Sequence, residues 1–424
     1  MKFIHAADIH LDSPLCGLAS YPNAPLQTLR SASREAFSRL IDAAIDEAVD
    51  FMVIAGDLYD GDWRDYNTGH FFVGEMARLH QAGIPVYLLY GNHDAESEMT
   101  RRLTLPPNVH LFDSRKPSTH RIEDLRVALH GRSFKDAATT ENLAVAYPDP
   151  LSGWLNIGVL HTALEGYAAH ARYAPCSLAE LCAKGYDYWA LGHVHEHAVL
   201  SESPWVVFPG NLQGRHIREA GPRGAVLVTA DHSGIQTVER LIVDVLRWER
   251  LDIDVSEAAD LPAVVALAGR ALEHLLLSQS GNWPLAVRVC LQGRTSAHGL
   301  LFGLEAQLRE EILAQAAALQ GGRLWIEKLK LETAPALDAS QLAARADAIA
   351  DLQALLAEVP EDADFLRSLS EDLQLLTAKA PLALIEALPE FQAIRRGEVL
   401  GLIDAVTPAL LAQLATAEQA NEAN

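Results

Sequence analysis

The chain has 424 residues, of which 49% are hydrophobic and 21% charged, a composition typical of a globular protein with two or three domains. Its formal net charge of −22 excludes a broadly basic DNA-binding surface, because clustered lysine and arginine drive binding to phosphates. No apolar run approaches the roughly 20 residues that span a bilayer. The N-terminus lacks a signal-like apolar segment and the four cysteines are scattered, so we predict a cytoplasmic protein with reduced thiols.

Residues 1–245 alternate short apolar runs with segments of helical periodicity. The predicted strands are 2–7, 51–55, 85–89, 154–160, 188–191, 205–208, 224–229 and 235–242. The predicted helices are 31–49 and 70–81. Strand–helix alternation that ends in a cluster of strands predicts a layered α/β domain with partly parallel sheets.

Residues 246–335 predict a second, smaller α/β domain in the order βαβαβ, with strands at 250–255, 285–292 and 324–332 and helices at 261–277 and 299–319. Residues 336–424 are rich in alanine and leucine at helical spacing and predict a C-terminal helical region. That region holds 15 acidic and 5 basic residues, which argues against a role in gripping DNA. Its apolar stripes suit either a partner protein or a small bundle that packs on its own chain.

Five short motifs in the first domain carry side chains that bind divalent metals, namely carboxylates, an amide oxygen and imidazoles. They are Asp8-Ile9-His10, Gly56-Asp57, Gly91-Asn92-His93-Asp94, His161 and Gly192-His193-Val194-His195. Each lies at the end of a predicted strand, where open α/β sheets place their ligands. Taken singly, each motif is common as a turn or a core histidine. Their joint occurrence in this order predicts a two-metal hydrolytic site.

Two local features should let these side chains converge. Asp8 and His10 are two residues apart, as are His193 and His195, so strand alternation would point each pair to one side. Three of the motifs have a glycine directly before a ligand, namely Gly56, Gly91 and Gly192, and these glycines would permit tight turns close to the metals.

The motif series resembles that of the calcineurin-like metallophosphoesterases, D-x-H, G-D-x-x-D, G-N-H-D/E, H and G-H-x-H, over about the first 210 residues. The resemblance implies a layered two-sheet core. It also implies that one metal is bound by Asp8, His10, Asp57 and His195, and that the other is bound by Asp57, Asn92, His161 and His193. Asp57 would bridge the pair.

The same resemblance gives roles to two neighbours of Asn92. His93 is not a ligand in the family, and its imidazole would contact the scissile phosphate or protonate the leaving oxygen. Asp94 would orient His93 or its loop, although a turn-forming aspartate is an equally good interpretation of this position.

Flanking sequences resemble the DNA-repair nuclease branch of the family, in particular bacterial YhaO-type exonucleases and more distantly the nuclease subunit of SbcCD. The stretch 208–216 resembles a loop of those enzymes, and Arg215, His216 and Arg218 in or beside it could bind a phosphate. A solvated basic loop is the alternative interpretation. One departure is Asp60, which stands where some nuclease relatives carry a histidine. A second candidate imidazole for contacting the phosphate, besides that of His93, is therefore missing.

The resemblance implies a DNA exonuclease, and possibly an endonuclease, that uses two divalent ions, expected to be Mn²⁺, in DNA repair. The domain 246–335 would be a capping domain that helps to hold DNA, and the C-terminal helices would bind an SMC-like coiled-coil ATPase. This chain has no Walker A motif of its own. A homodimer is expected by resemblance, and no membrane is expected as a partner. The alternatives are a phosphatase or cyclic-nucleotide phosphodiesterase on the same metal site, and a catalytically idle scaffold subunit.

Overall fold

The structure is a computed structural model that describes residues 1–13, 15, 26–60, 66–96, 103–164, 173–279, 281, 283–319, 323–336, 348–380, 389–403, 406–407 and 410. The chain divides into two compact units. The first comprises residues 1–249 and 283–286, and the second comprises residues 250–282 and 287–424.

The first unit is built mainly from two six-stranded sheets. Its strands are β1 (Lys2–Ala6), β2 (Phe51–Ala55), β3 (Val86–Leu89), β4 (Val109–Leu111), β5 (Ser118–Ile122), β6 (Val127–Gly131), β7 (Leu155–His161), β8 (Tyr188–Gly192), β9 (Ala198–Glu202), β10 (Trp205–Phe208), β11 (Gly224–Asp231) and β12 (Gly234–Ile242). Its helices are α1 (Leu26–Asp46), α2 (Tyr66–Gln81), α3 (Asn92–Glu96) and α4 (Leu178–Ala183). Short 3₁₀ turns occur at Glu123–Leu125, Ala144–Ala146 and Ile217–Glu219.

The first sheet has the order β12-β11-β1-β2-β3-β4, and the second has the order β5-β6-β7-β8-β10-β9. Strands β1 to β4 are parallel to one another, and so are β6, β7, β8 and β10. Antiparallel strands occur at or near the edges. Consecutive parallel strands end at the same edge of a sheet, so the loops after β1, β2 and β3 lie side by side, as do those after β7 and β8.

The two sheets pack face to face, and helices cover their outer faces. Phe3 and Phe51 of the first sheet stack and pack in one buried cluster with Ile157 and Tyr188 of the second sheet. On the outer face of the first sheet, Phe37 and other residues of α1 and α2 bury the alternate strand positions. Both faces of these strands are buried, which explains why their sequences are continuously apolar rather than alternating.

The second unit contains a three-stranded sheet in the order β13-β14-β15 and several helices. Its strands are β13 (Arg247–Asp254), β14 (Leu285–Thr295) and β15 (Leu324–Pro335), and the first residues of β13 and β14 belong to the first unit. Its helices are α5 (Leu261–Ser278), α6 (His298–Gly303), α7 (Glu305–Ala318), α8 (Ala348–Glu358), α9 (Ala363–Thr377) and α10 (Pro389–Arg395). A 3₁₀ turn at Val359–Glu361 connects α8 to α9.

Helix α5 is, among the described residues, the one helix long and apolar enough to cross a membrane by length and composition. The Asp260 side chain caps it by accepting a hydrogen bond from the backbone N–H of Ala263. Val264, Ala268 and Leu272 recur on one face and are buried. That pattern is typical of an amphipathic core helix of a globular domain.

The predicted fold class is confirmed: a layered α/β core with two sheets, a third small sheet and C-terminal helices. Four short strands, β4, β5, β6 and β9, were not predicted. The single helix predicted over 299–319 is two helices that meet at Leu304. The separation of a third region after residue 335 stays a prediction, and much of that region lies outside the described residues.

His5 of β1 connects the two sheets behind the motif loops. Its Nδ1 lies 3.0 Å from the hydroxyl of Tyr188, and its Nε2 lies 3.0 Å from the carbonyl oxygen of Leu191, immediately before the Gly192 motif. The ring is completely buried. Burial lowers the pKa of His5 to about 3, so the ring is neutral at physiological pH.

We expect His5 to make the metal-free fold acid-sensitive. The pKa of His5 in the folded state lies below its value in the unfolded chain. The contribution of the neutral ring to the free energy of unfolding is therefore complete above about pH 6.5 and is lost as pH falls towards 3. The loss amounts to at most about 1.4 kcal/mol per pH unit. Urea unfolding in EDTA between pH 7 and 4 should give a shallower pH slope for His5→Gln than for the wild type. The exposed-site control His80→Gln should keep the wild-type slope, and equal slopes for all three proteins would contradict this role.

Candidate metal centre

The five motifs converge where the carboxyl ends of the two sheets meet. Asp8 follows β1, Asp57 follows β2, and Asn92 begins α3 after β3. His161 is the last residue of β7, and His193 follows the last residue of β8. Parallel strand order thus brings together residues that are up to 187 positions apart in the chain, as with Asp8 and His195.

One ligand cluster consists of Asp8, His10 and His195, whose ligand atoms all lie within 4.8 Å of one another. The Nε2 atoms of His10 and His195 are 3.2 Å apart. His195 Nε2 also lies 3.7 Å from Asp8 Oδ1. Asp8 additionally accepts a hydrogen bond from the backbone N–H of His193, at 3.0 Å to Oδ2, and so joins the first motif to the last.

The second cluster consists of Asp57, His161 and His193, again with ligand atoms within 4.8 Å. Asn92 belongs to it, because its Oδ1 lies 3.0 Å from His161 Nε2. Asp57, Asn92, His161 and His193 are all buried. The structure therefore brings together the seven predicted ligands in the two predicted groups.

Asp57 faces both clusters with a single oxygen atom. Its Oδ2 lies 4.0 Å from His10 Nε2 in one cluster and 3.4 Å from His161 Nε2 in the other. Its Oδ1 accepts a hydrogen bond from the backbone N–H of His93 at 3.1 Å. One oxygen is thus placed between the two groups of imidazoles while the other holds the motif loop that carries His93.

The donor set fits a pair of divalent ions. Burial and the nearby Arg215 lower the pKa of His10 to about 4, so that its imidazole is neutral and has a lone pair to donate. Burial alone would raise the pKa of Asp57, but the surrounding imidazoles, above all His161, hold it below its usual range. Imidazoles, carboxylates and one amide oxygen are the ligands that borderline divalent metals prefer. Burying them together is unfavourable unless cations compensate the desolvation.

Several ligands have a left-handed backbone. The φ angles are 50° at Asp8, 46° at His10, 53° at Asp57 and 98° at His193. Asp8 and His10 do reach one cluster, but strand alternation was the wrong explanation, because neither residue is extended. Non-glycine residues with such φ values are uncommon and concentrate at functional sites, where surrounding contacts hold them.

The motif glycines are required mainly because neighbouring atoms lie too close to their Cα atoms to leave room for a side chain. A Cβ atom on Gly91 would collide with the Asp57 carboxylate, and one on Gly192 would collide with the carbonyl oxygen of Ala55. Gly56 has both a positive φ of 97° and a Cβ position that His161 occupies. Only Gly56 therefore matches the expected role in a turn, whereas Gly91 leaves room for the ligand Asp57 and Gly192 for the backbone of Ala55.

His93 stands beside the clusters without belonging to either ligand group. Its side chain is 38% exposed, whereas His10 is 1% exposed, and the two rings meet edge to face at 5.1 Å. This placement leaves the His93 imidazole accessible from solvent while its backbone is bound to Asp57. A group that acts on a substrate bound at the metals needs this position.

Asp60 holds a role that the sequence analysis missed. Its Oδ1 lies 3.3 Å from His93 Nδ1 and 3.6 Å from His10 Nδ1, while its Oδ2 accepts a hydrogen bond from Ser13 at 2.7 Å. In the sequence this residue is notable only as an aspartate where some relatives carry a histidine. The structure places a carboxylate where it can orient both a ligand and the exposed imidazole.

Asp94, predicted to support catalysis by orienting His93 or its loop, is 1% exposed. Its carboxylate accepts hydrogen bonds from the backbone N–H groups of Leu58, Tyr59 and Gly91, at 3.2, 3.0 and 3.0 Å. These bonds join the second motif loop to the third. The geometry therefore favours support of the loops over direct contact with a substrate.

The three predicted phosphate-binding residues differ in position. Arg215 lies at the centre, with Nη1 3.8 Å from Asp60 Oδ2 and Nη2 3.3 Å from His195 Nδ1. His216 lies at its side, 3.7 Å from Glu219 Oε1. Arg218 is exposed. Of the three, Arg215 is built into the metal centre.

Comparison with known proteins identifies the family. A profile of calcineurin-like phosphoesterases matches residues 1–197, and a profile of the middle domain of metallophosphoesterase YhaO matches residues 248–334. The chain is 36% identical to YhaO of Bacillus subtilis (strain 168), an uncharacterized metallophosphoesterase, over 78% of this chain and 82% of that protein. The chain belongs to the calcineurin-like metallophosphoesterases. It is accordingly a metal-dependent phosphoester hydrolase with a site for two divalent ions.

More distant relatives of this metallophosphoesterase include two named nuclease or repair proteins. The DNA double-strand break repair protein Mre11 of Methanopyrus kandleri is 28% identical over 59% of this chain and 58% of that protein. A component of the nuclease SbcCD from Staphylococcus saprophyticus is 24% identical over 50% of this chain and 61% of that protein.

A methyl group at Gly91 should disrupt metal binding, because it would displace the Asp57 carboxylate that faces both clusters. We expect Gly91→Ala to weaken Mn²⁺ binding by about 10–100-fold or more, the effect of disturbing the support of a ligand. Isothermal titration of the metal-free protein measures this. Gly74→Ala, in α2 with open space around its Cβ, is the matched control and should bind metal normally. Unchanged binding in Gly91→Ala would contradict the bridging role of Asp57.

Proposed function

We propose that this metallophosphoesterase is a Mn²⁺-dependent DNA exonuclease, with possible endonuclease activity, that acts in DNA repair. The observation that carries the proposal is the exposed His93 imidazole beside two ligand clusters that share Asp57. Such a centre hydrolyses phosphoesters. The choice of DNA is supported by the likeness to an Mre11 protein and to a component of SbcCD, whose names describe repair and nuclease roles.

A pair of divalent ions in this site would supply positive charge to a phosphoryl group and activate water for attack in line with the leaving oxygen. Asp8, His10, Asp57 and His195 would hold one ion, and Asp57, Asn92, His161 and His193 the other. The other side chains have roles that do not involve metal ligation. His93 would donate a hydrogen bond or a proton to the phosphate or its leaving oxygen, and Asp60 would keep the ring turned for that purpose.

Arg215 would complete the charge around the phosphate. Its guanidinium lies between Asp60 and the His195 ring, so its position is fixed before substrate arrives. Planar guanidinium groups suit phosphate oxygens because they offer several donors in one plane. We also propose that His216 and Arg218, on the same loop, contact the phosphate from further out.

We propose a cytoplasmic location and an SMC-like ATPase as partner, bound through the C-terminal helices. The exposed Leu355, Phe365 and Leu375 on α8 and α9 support a protein-binding role for this region. A homodimer through the first unit remains part of the proposal. A purified chain without a partner would then cut DNA at a rate that does not depend on ATP.

The central prediction concerns His93. With Mn²⁺ present, the wild type should degrade end-labelled duplex DNA, and His93→Ala should be slower by about 10²–10⁴-fold, the usual contribution of a general acid. Metal content should not change, because the backbone N–H of residue 93 still binds Asp57. Gel-based cleavage and metal analysis of the same samples measure both quantities.

The control is His80→Ala, an exposed histidine in the last turn of α2, which should cleave like the wild type. Bis-p-nitrophenyl phosphate separates the alternatives. Turnover of this small diester without cleavage of DNA would favour the cyclic-nucleotide phosphodiesterase. Bound metal without turnover of either substrate would favour a scaffold subunit.

ATP should leave the cleavage rate of the purified chain unchanged, because its sequence contains no Walker A motif. Rates with and without ATP, with Mn²⁺ in excess over the nucleotide so that chelation is excluded, measure this. Stimulation of the isolated chain by ATP would show that nucleotide acts without the proposed ATPase.

A further inference from the structure

Glu219 lies outside the five motifs but contacts the metal centre directly. Its side chain is 6% exposed, and its Oε1 lies 2.7 Å from Nδ1 of the ligand His195. It occurs in the 3₁₀ turn Ile217–Glu219 that follows Arg215. Nothing in the spacing of the motifs indicates this contact, because Glu219 and His195 are 24 positions apart in the chain.

The carboxylate of Glu219 is held in one orientation by its second oxygen. Its Oε2 accepts hydrogen bonds from Asn211 Nδ2 at 3.0 Å and from the backbone N–H of Arg215 at 2.7 Å. Asn211 is itself buried and donates also to the carbonyl oxygen of Gln213. With Oε2 fixed on both sides, Oε1 is left directed at the imidazole of His195.

A carboxylate at Nδ1 determines which nitrogen of His195 carries hydrogen. An ionised carboxylate only accepts hydrogen bonds, so Nδ1 is the donor, and in the neutral ring Nε2 then carries the lone pair. Nε2 is the atom that faces Asp8 and His10. Glu219 thus holds His195 in the tautomer that can bind a metal through Nε2. Its negative charge also makes the imidazole more basic, and therefore a stronger metal ligand.

The other side of the metal pair has a different support. His161 has Nε2 towards Asn92 and Asp57, and its Nδ1 lies 2.9 Å from the carbonyl oxygen of Ala55. A neutral carbonyl orients the ring but adds no charge. Glu219 therefore acts on one metal position and not on the other.

We infer that Glu219 is a positioning residue that orients His195 and selectively strengthens binding of the metal held by Asp8, His10 and His195. Glu219 also contacts Arg215, whose Nη2 lies 3.3 Å from Glu219 Oε1, and so connects the ligand His195 to this guanidinium. One buried carboxylate thereby sets the position of a metal ligand and of the guanidinium proposed to contact phosphate. The inference rests on the two-metal site of the proposed function but not on DNA as the substrate.

Isothermal titration of the metal-free full chain with Mn²⁺ alone tests the inference without any substrate. We expect Glu219→Gln to weaken one of two binding steps by about 10–100-fold, the range found for outer partners of metal ligands, and to leave the other step unchanged. In an Asn92→Ala background, which weakens the opposite position, Glu219→Gln should lower the affinity of the remaining step. In a His195→Ala background it should have little further effect, because its partner is gone.

Glu196→Gln is the matched control, since this glutamate adjoins His195 in sequence but is 69% exposed and pairs with Arg223. It should bind Mn²⁺ like the wild type. Thermal unfolding of the metal-free proteins should show that Glu219→Gln remains folded, while the rise in Tm on adding Mn²⁺ should be smaller than in the wild type. The Glu219→Asp variant, which keeps the charge, should recover part of the lost affinity.

The outcomes separate the two proposals. Equal weakening of both steps, or additive losses in Glu219→Gln and His195→Ala, would overturn the selective role of Glu219 and leave the proposed function standing. Normal metal effects in a protein that cuts no DNA would remove the proposed function and leave the inference standing. A wild type that binds no Mn²⁺ would overturn both.

Discussion

The structure of the site depends on the placement of one carboxylate, that of Asp57. A single oxygen of this residue faces two groups of imidazoles, and the second oxygen binds the loop of His93. Gly91 must lack a side chain so that this carboxylate fits, and the Asp94 carboxylate binds the backbone immediately after it. The parallel strands β1, β2 and β3 bring these loops together, so the sheet order and the ligand geometry are parts of one constraint.

The ligands could be predicted from sequence because their chemistry is local. Each motif combines a strand end with a metal-binding side chain, and the seven ligands fall into the two predicted groups. The geometry that orients them could not be predicted. Left-handed backbone at His10 has no signature in the residue type, and Glu219 reaches His195 only because the chain after β10 folds back onto the motif.

The roles of Asp60 and Asp94 show the same limit. Both are aspartates in loops, and from the sequence Asp94 is expected to orient His93 or its loop, whereas Asp60 is noted only as a replacement for a histidine. In the structure Asp60 approaches the His93 ring, whereas Asp94 binds backbone N–H groups. Direction of the side chain decides between such neighbours, and this direction is set by tertiary contacts rather than by position in the motif. The short strands β4 to β6 were missed for a related reason, since pairing with neighbours stabilises them more than their own sequence does.

The charge of the site suggests an order of events. Without ions, the carboxylates of Asp8, Asp57, Asp60 and Glu219 surround the metal positions and outnumber the nearby cations. These cations are the guanidinium of Arg215, which is already paired with two of the carboxylates, and His161, whose pKa burial alone would lower but Asp57 raises to about 9. Such a centre repels a phosphate. We therefore expect the ions to bind before the substrate, and their charge to convert an anionic pocket into one that accepts polyanions. In a chain with a net charge of −22, this conversion matters more than any general surface potential.

The left-handed backbone at Asp8, His10, Asp57 and His193 has a consequence for how this protein can change. Glycine adopts such angles without steric cost, so replacing a ligand by glycine would relieve backbone strain. Random variation selected only for heat resistance would then favour the loss of ligands. If the ligands persist in a lineage selected for thermal stability, the activity of the site must also be under selection, because selection for stability alone would remove the ligands.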